Sequence, residues 1–232
     1  MRRMGFMAIA LAATVAVGCN RSENRAANDT TATPGTAGTA GRADNRVGAG
    51  DRDFVRDVAM MNMAEMELSR TALQHAAEAN TKKFAQMMVD DHTTAGDKLK
   101  AFATQHSIEV PAQLDDKHRD DGLKLSEKKG LDFDKDYADK MVQGHQDFVD
   151  KLESRIDKDT LSKWKAEYER KTGDKREQRE AEVKAVAVTA EKSDDPITQS
   201  LNQWAADTYP VAFAHLQAAK DLLDGVRKRS TN

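Results

Sequence analysis

Glu65, His92, His145 and His215 are the residues of this chain whose types and spacing could do chemistry. Each interrupts a run of apolar residues spaced three and four apart, and each stands on the run, not beside it. Glu65 falls between Met61 and Leu68, His92 between Met88 and Ala95, His145 between Met141 and Phe148, and His215 between Val211 and Ala218. A residue four positions after one core residue and three before the next shares their helical face, so all four side chains are predicted to point inward. One carboxylate and three imidazoles could supply an oxygen and three nitrogens to one divalent transition metal ion. The same groups could instead form a buried polar layer without metal, Glu65 accepting hydrogen bonds from histidine N–H groups and fixing helix register.

The elements that must position them follow from the same periodicity. Phe54, Val58, Met61, Leu68 and Ala72 predict a first helix over 52–77. Ala85, Met88, Ala95, Leu99 and Phe102 predict a second, capped by Asn80-Thr81 and running to Gln105. The tight connection makes these two antiparallel, and Glu65 and His92 then lie at one level, about 17 Å from the turn at 1.5 Å per residue. A long connection with Pro111 and a short helix over 121–129 leads to a third helix capped by Asp134, with Tyr137, Ala138, Met141, Phe148 and Leu152 on its apolar face. The fourth starts at Asp195-Pro196, where a proline costs no hydrogen bond, and shows Leu201, Trp204, Val211, Ala218 and Leu222. Pro210, inside that pattern, should kink or briefly break it. Residues 157–195, dense in Lys, Glu and Arg around Trp164 and Tyr168, read as a solvated helical hairpin or arm, which could also bind a protein partner. The fold class is all-α: an up-down four-helix bundle over 51–228 with a long crossover between helices 2 and 3 and a charged excursion between helices 3 and 4.

Ahead of the bundle the chain changes character. Arg2 and Arg3 precede a dozen apolar residues from Phe6 to Val17, far short of the roughly 20 needed to span a bilayer, as in a signal peptide over 1–18. Ala16-Val17-Gly18-Cys19 resembles a lipobox, whose cysteine becomes the lipid-bearing first residue after cleavage. Cys19 is the only cysteine of the 232 residues, and an unpaired thiol in an exported protein needs such a reason. Ala16 and Gly18 also satisfy ordinary signal peptidase, so plain secretion stays open. Asn20, in place of Asp, favours the outer membrane by resemblance to envelope lipoproteins. Residues 19–50, rich in Asn, Thr, Ala and Gly, have little to bury and predict a flexible tether.

Composition excludes several classes. A net charge of -3 with interleaved signs offers no field to gather phosphates, so nucleic acid is not expected as a partner. There is no Gly-rich phosphate loop, no paired cysteine and no local Ser-His-Asp signature, which leaves hydrolase, kinase and thiol-redox readings without support. Met60, Met61, Met63, Met66, Met87 and Met88 could offer thioether sulfur to Cu(I), although core filling accounts for them more simply. His75, His106 and His118 lie near helix ends or in the long connection and receive no role.

The stretches Phe54 to Glu67, Phe84 to His92, Tyr137 to His145 and Tyr209 to Leu216 resemble the Domain of Unknown Function 4142 family, ferritin-like bundles of exported bacterial proteins. The resemblance covers 51–157 and 197–225; the charged excursion is longer than the family usually carries. It implies a ferritin-like fold with inward histidines and supplies no reaction. Di-iron members of that fold place Glu-x-x-His on two helices so that carboxylates bridge two metals. Here Val89 and Ala212 occupy the carboxylate positions, so di-iron chemistry is not expected and the most the residues support is one ion. The expected protein is a non-catalytic binding or stress-related module; the alternative is a mononuclear metalloenzyme.

Overall fold

A computed structural model describes residues 47–172 and 188–231, and the described residues are helical apart from their connections and one isolated bridge. The signal peptide, Cys19 and the tether as far as residue 46 lie outside the described residues. Among the described residues six helices follow one another: α1 Ala49–His75, α2 Ala79–Gln105, α3 Asp116–Ser126, α4 Gly130–Glu153, α5 Lys158–Thr172 and α6 Pro196–Ser230. Four are long, and they touch in a ring: α1 on α2, α2 on α6, α6 on α4 and α4 on α1, with α3 laid against α1 and α4.

The start of α2 is held from outside the helix. Its N-cap, Glu78, makes no capping hydrogen bond with its side chain, and Asn80-Thr81 lie inside the first turn, where Thr81 is buried and does not cap. The orphan amides of the α1–α2 connection go to Asp134 instead: Ala77 N–H donates to Oδ1 at 3.0 Å and Glu78 N–H to Oδ2 at 2.8 Å. Asp134, expected to cap its own helix, therefore sits one turn inside α4 and ties that helix to the hairpin. The chain enters α4 through Gly130, whose φ of +58° suits a residue without a Cβ. Burial raises the Asp134 pKa although both amide bonds pull it down. Asp134→Ala should cost about 1–2 kcal/mol by removing the acceptor of two partly buried donors, and a urea midpoint equal to wild type would contradict this role.

α6 departs from expectation in two ways. It runs unbroken through Pro210, because the loss of one ladder bond is small beside the packing of its 35 residues on two neighbours. Its buried face is also turned by about one residue from the predicted stripe. Val211 is 41% exposed, while Ala205, Tyr209, Ala212, Leu216, Ala219 and Leu223 are inside. A similar offset puts Val149 in the core and leaves Phe148 half-buried.

The excursion after α4 is not a solvated arm where it is described. Leu161, Trp164 and Tyr168 form a stripe along α5 and are buried. Trp164 stacks on Tyr168 at 5.4 Å and meets Tyr209 and Phe213 of α6 edge-on at 5.2 and 5.3 Å. The returning chain pairs with its own start, Asp157 N–H donating to Thr189 O and Glu191 N–H to Arg155 O, both at 2.9 Å. Residues 173–187, the rest of that expected hairpin or arm, lie outside the described residues.

The core comes in two blocks. One gathers Phe54, Val58, Leu99, Val149, Leu152, Leu201 and Tyr209; the other gathers Ala72, Phe84, Met88, Phe133, Tyr137, Met141 and Leu223. On α1, α2 and α4 the polar positions 65, 92 and 145 fall between the two blocks, and on α6 position 215 falls at their junction. The fold thus builds a polar layer across the middle of an apolar interior.

Candidate metal centre

The predicted inward residues arrive at that layer from four different helices. Glu65 comes from α1, His92 from α2, His145 from α4 and His215 from α6, with exposures of 4%, 6%, 0% and 7%. Glu65 Oε2 lies 3.2 Å from His92 Nε2, and Oε1 lies 3.3 Å from His145 Nδ1. The ring centroids stand 5.5 Å apart for His92–His145, 5.9 Å for His92–His215 and 5.5 Å for His145–His215. The equal level expected for Glu65 and His92 holds, and the helix that continues through Pro210 brings His215 to the same layer.

Each imidazole has one nitrogen engaged by an oxygen that can only accept. His145 Nδ1 donates to Met141 O at 3.0 Å, His92 Nδ1 to Asn62 Oδ1 at 3.0 Å, and His215 Nε2 to Asp91 Oδ2 at 2.9 Å. A proton on that nitrogen leaves a lone pair on the other, the tautomer arrangement by which metal-binding histidines are oriented from behind. His145 Nε2 is fully buried with no hydrogen-bond partner, and so is Glu65 Oε1, which approaches His145 Nδ1 without alignment because that N–H is spent on Met141.

Charge is scarce in this layer. Burial first, then the Asp147 carboxylate, pushes the Glu65 pKa up to about 8. Burial and then the His215 ring bring His92 down to about 4, Asp91 pulling the other way, and burial, His215 and His92 hold His145 well below the usual imidazole range. The short Glu65–His92 and Glu65–His145 distances would suit ion pairs, but both shifts run toward the neutral forms. At neutral pH we therefore read Glu65 as a carboxylic acid that donates from Oε2 to His92 Nε2.

The donor set fits a divalent transition metal. One nitrogen from each of His92, His145 and His215 lies within 4.8 Å of the others. Edges of at most 4.8 Å put the centre of the triangle no more than about 2.8 Å from each corner, so a closure of at most about 0.7 Å reaches metal–nitrogen distances of about 2.0–2.1 Å. Glu65 is not part of the three-nitrogen group; it borders it, touching two of the three rings. The imidazoles alone make the inner set, which leaves the fourth position to the carboxylate or to solvent.

Four helpers escaped the sequence reading. Asn62 and Asp91 orient two of the rings, and two glycines make room. A Cβ on Gly96 would stand 2.7 Å from Asn62 Nδ2, and one on Gly144 would stand 2.6 Å from Glu65 Oε1. Asn62 was legible as the position three before Glu65 on one face; Asp91 and the glycines needed tertiary placement. Val89 and Ala212 leave no carboxylate where a second metal would need one. Met88 is core, while Met63 and Met66 line a cleft of about 520 Å³ that also touches His92, and the Met66 sulfur accepts from Asn62. His75 stacks on Phe133, and His118 pairs with Asp115; neither belongs to the three-imidazole group.

Comparison with known proteins adds one relationship. The family model described as a domain of unknown function, DUF4142, matches residues 36–167, a span that holds Glu65, His92 and His145 and stops short of His215. No curated protein and no solved structure matches the chain.

Proposed function

The chain belongs to the DUF4142 family, and from that premise we propose that it is an envelope lipoprotein whose ferritin-like four-helix bundle binds one divalent transition metal ion. His92, His145 and His215 supply the nitrogens and Glu65 the oxygen. The observation that carries this reading is His145 Nε2, a wholly buried nitrogen without a hydrogen-bond partner, on a ring that offers one nitrogen within 4.8 Å of nitrogens of two more rings oriented from behind. A register-fixing polar layer would be expected to pair such an atom. The ring of four long helices supports the ferritin-like arrangement. The buried, enclosed donor set favours a holding role over catalysis. A metalloenzyme is the second reading, favoured by the placement of Glu65 at the border of a three-nitrogen set, where a carboxylate that left the fourth position to water could act on that water as a base.

Metal content tests the core of this. Protein expressed without a His-tag and purified without chelator should carry close to one equivalent of a transition metal, or take it up on exposure to Zn, Fe, Mn or Cu. Less than about a tenth of an equivalent, with no uptake, would leave only the polar layer.

The anchor is proposed from Cys19 and the lipobox-like residues before it. Among the described residues no helix is long and apolar enough to cross a membrane. Cys19→Ser should move the protein from the membrane fraction to the soluble periplasmic fraction. Retention on membranes would overturn the lipid attachment.

A further inference from the structure

Beside a cavity of only about 30 Å³ between Glu65 and His92, two larger clefts reach the layer, one lined by α1 and α2 and the other by α1, α3 and α4, and they are not equivalent. On the α2 side the cleft of about 520 Å³ reaches His92 past Asn62, Gly96, Asp97 and Met66. Its polar link to the layer, Asn62, already spends its amide on His92 and Met66. On the α4 side a smaller cleft of about 150 Å³, roofed by α3, is lined by Glu65, Gly144, Asp147, Asp121, Lys117 and Lys140, among others. Its innermost polar atom is Glu65 Oε1, buried and without a hydrogen-bond partner. Gly144 is what gives Oε1 its space, since any Cβ there would occupy it.

The charges of the smaller cleft are arranged in depth. Lys117 and Lys140 both bind Asp121, at 2.9 and 3.0 Å, which offsets one of their two charges, and Asp147 opposes the other. Asp147 stands exposed at the mouth, close enough to raise the Glu65 pKa. An outer carboxylate, a glycine notch and an inner carboxyl oxygen therefore lead in sequence to the imidazoles. We propose that this α1/α3/α4 cleft is the port through which a divalent cation reaches the three histidines, Asp147 collecting it and Glu65 passing it inward beside Gly144. The inference rests on the metal reading above. The opposite cleft, although larger, offers no unpartnered oxygen at its inner end.

Rapid-mixing kinetics of Zn(II) and Co(II) with metal-free full-length protein, followed with a chromophoric chelator, tests the port. Asp147→Asn should slow association severalfold, up to on the order of tenfold at low salt, as loss of a steering charge does. Dissociation should change less than association, because a charge at the rim acts mainly on encounter, and the effect should fade at high salt. Gly144→Ala should slow association more, and Asp97→Asn, the matching change at the mouth of the other cleft, should leave it unchanged. Should Gly144→Ala fail to fold, the contrast of Asp147→Asn with Asp97→Asn still decides. If wild type binds and Asp147→Asn associates at the wild-type rate, or if Asp97→Asn is the slow one, the port is wrong and the metal site stands. If wild type binds neither ion, the metal reading falls and the port falls with it.

Discussion

Excess Zn(II) should raise the melting temperature of the metal-free protein by about 8–16 °C, and His145→Gln should abolish most of that rise. A ligand at a thousand times its dissociation constant stabilises the folded state by about 4 kcal/mol, and for a domain of this size each kcal/mol moves the midpoint by about 2–4 °C. The effect is large because the unfolded chain holds no preformed site: the three rings come from helices separated by dozens of residues and meet only in the fold. His145 is the discriminating position, being wholly buried, with its free nitrogen inward. Surface histidines such as His118 remain in the variant and would bind Zn(II) equally, so differential scanning calorimetry of the two proteins isolates the interior site. An equal rise in both would place the zinc elsewhere.

The metal-free protein should be most stable near pH 6.5 and lose stability on either side. Between the usual 4.5 and the raised value of about 8, folded Glu65 keeps a proton that the unfolded chain has released, so stability falls as pH rises across that span. His92, lowered to about 4, and His145, held well below the usual imidazole range, do the opposite: below 6.5 the unfolded chain binds protons that the folded rings do not, and stability rises with pH. Below pH 6.5 two imidazoles outweigh one carboxyl; above it Glu65 acts alone until about pH 8. Each unmatched proton is worth at most about 1.4 kcal/mol per pH unit; with the unfolded chain's imidazoles half-titrated at pH 6.5 and folded Glu65 half-ionised at about pH 8, the net fall between them is about 1 kcal/mol. Glu65→Gln should flatten that upper limb while keeping the lower one. Urea unfolding at half-unit pH steps measures both limbs. A flat wild-type profile above pH 6.5, or a Gln variant that still declines, would mean Glu65 is not a protonated acid inside the protein.

Much of this was written in the periodicity of the chain. Four polar residues standing on apolar stripes are hard to place anywhere but the interior, and the length of the α1–α2 hairpin set Glu65 and His92 at one level before any coordinates. The stripes were less exact where a helix is buried on more than one side: α6 packs on both α2 and α4, so its buried arc is wide and Val211 could be mistaken for its centre. Asp134 misled because a carboxylate at the foot of a helix reads as a local cap, whereas its two acceptors serve amides more than fifty residues away. The aromatic stripe of α5 was hidden by the charges around it, which report the solvent face of a helix and say little about the opposite one. Asn62 and Asp91 act on rings of other helices, and no spacing rule connects residue 91 to residue 215.

X-ray absorption at the metal edge of Zn- or Co-loaded protein tests the convergence of the three rings most directly. The account predicts a four-coordinate first shell with three imidazole nitrogens at about 2.0–2.1 Å and one oxygen, falling to two imidazoles in His92→Ala. A shell dominated by oxygen, or one unchanged in His92→Ala, would mean that the ion sits elsewhere and that the buried histidines only hold the helices in register.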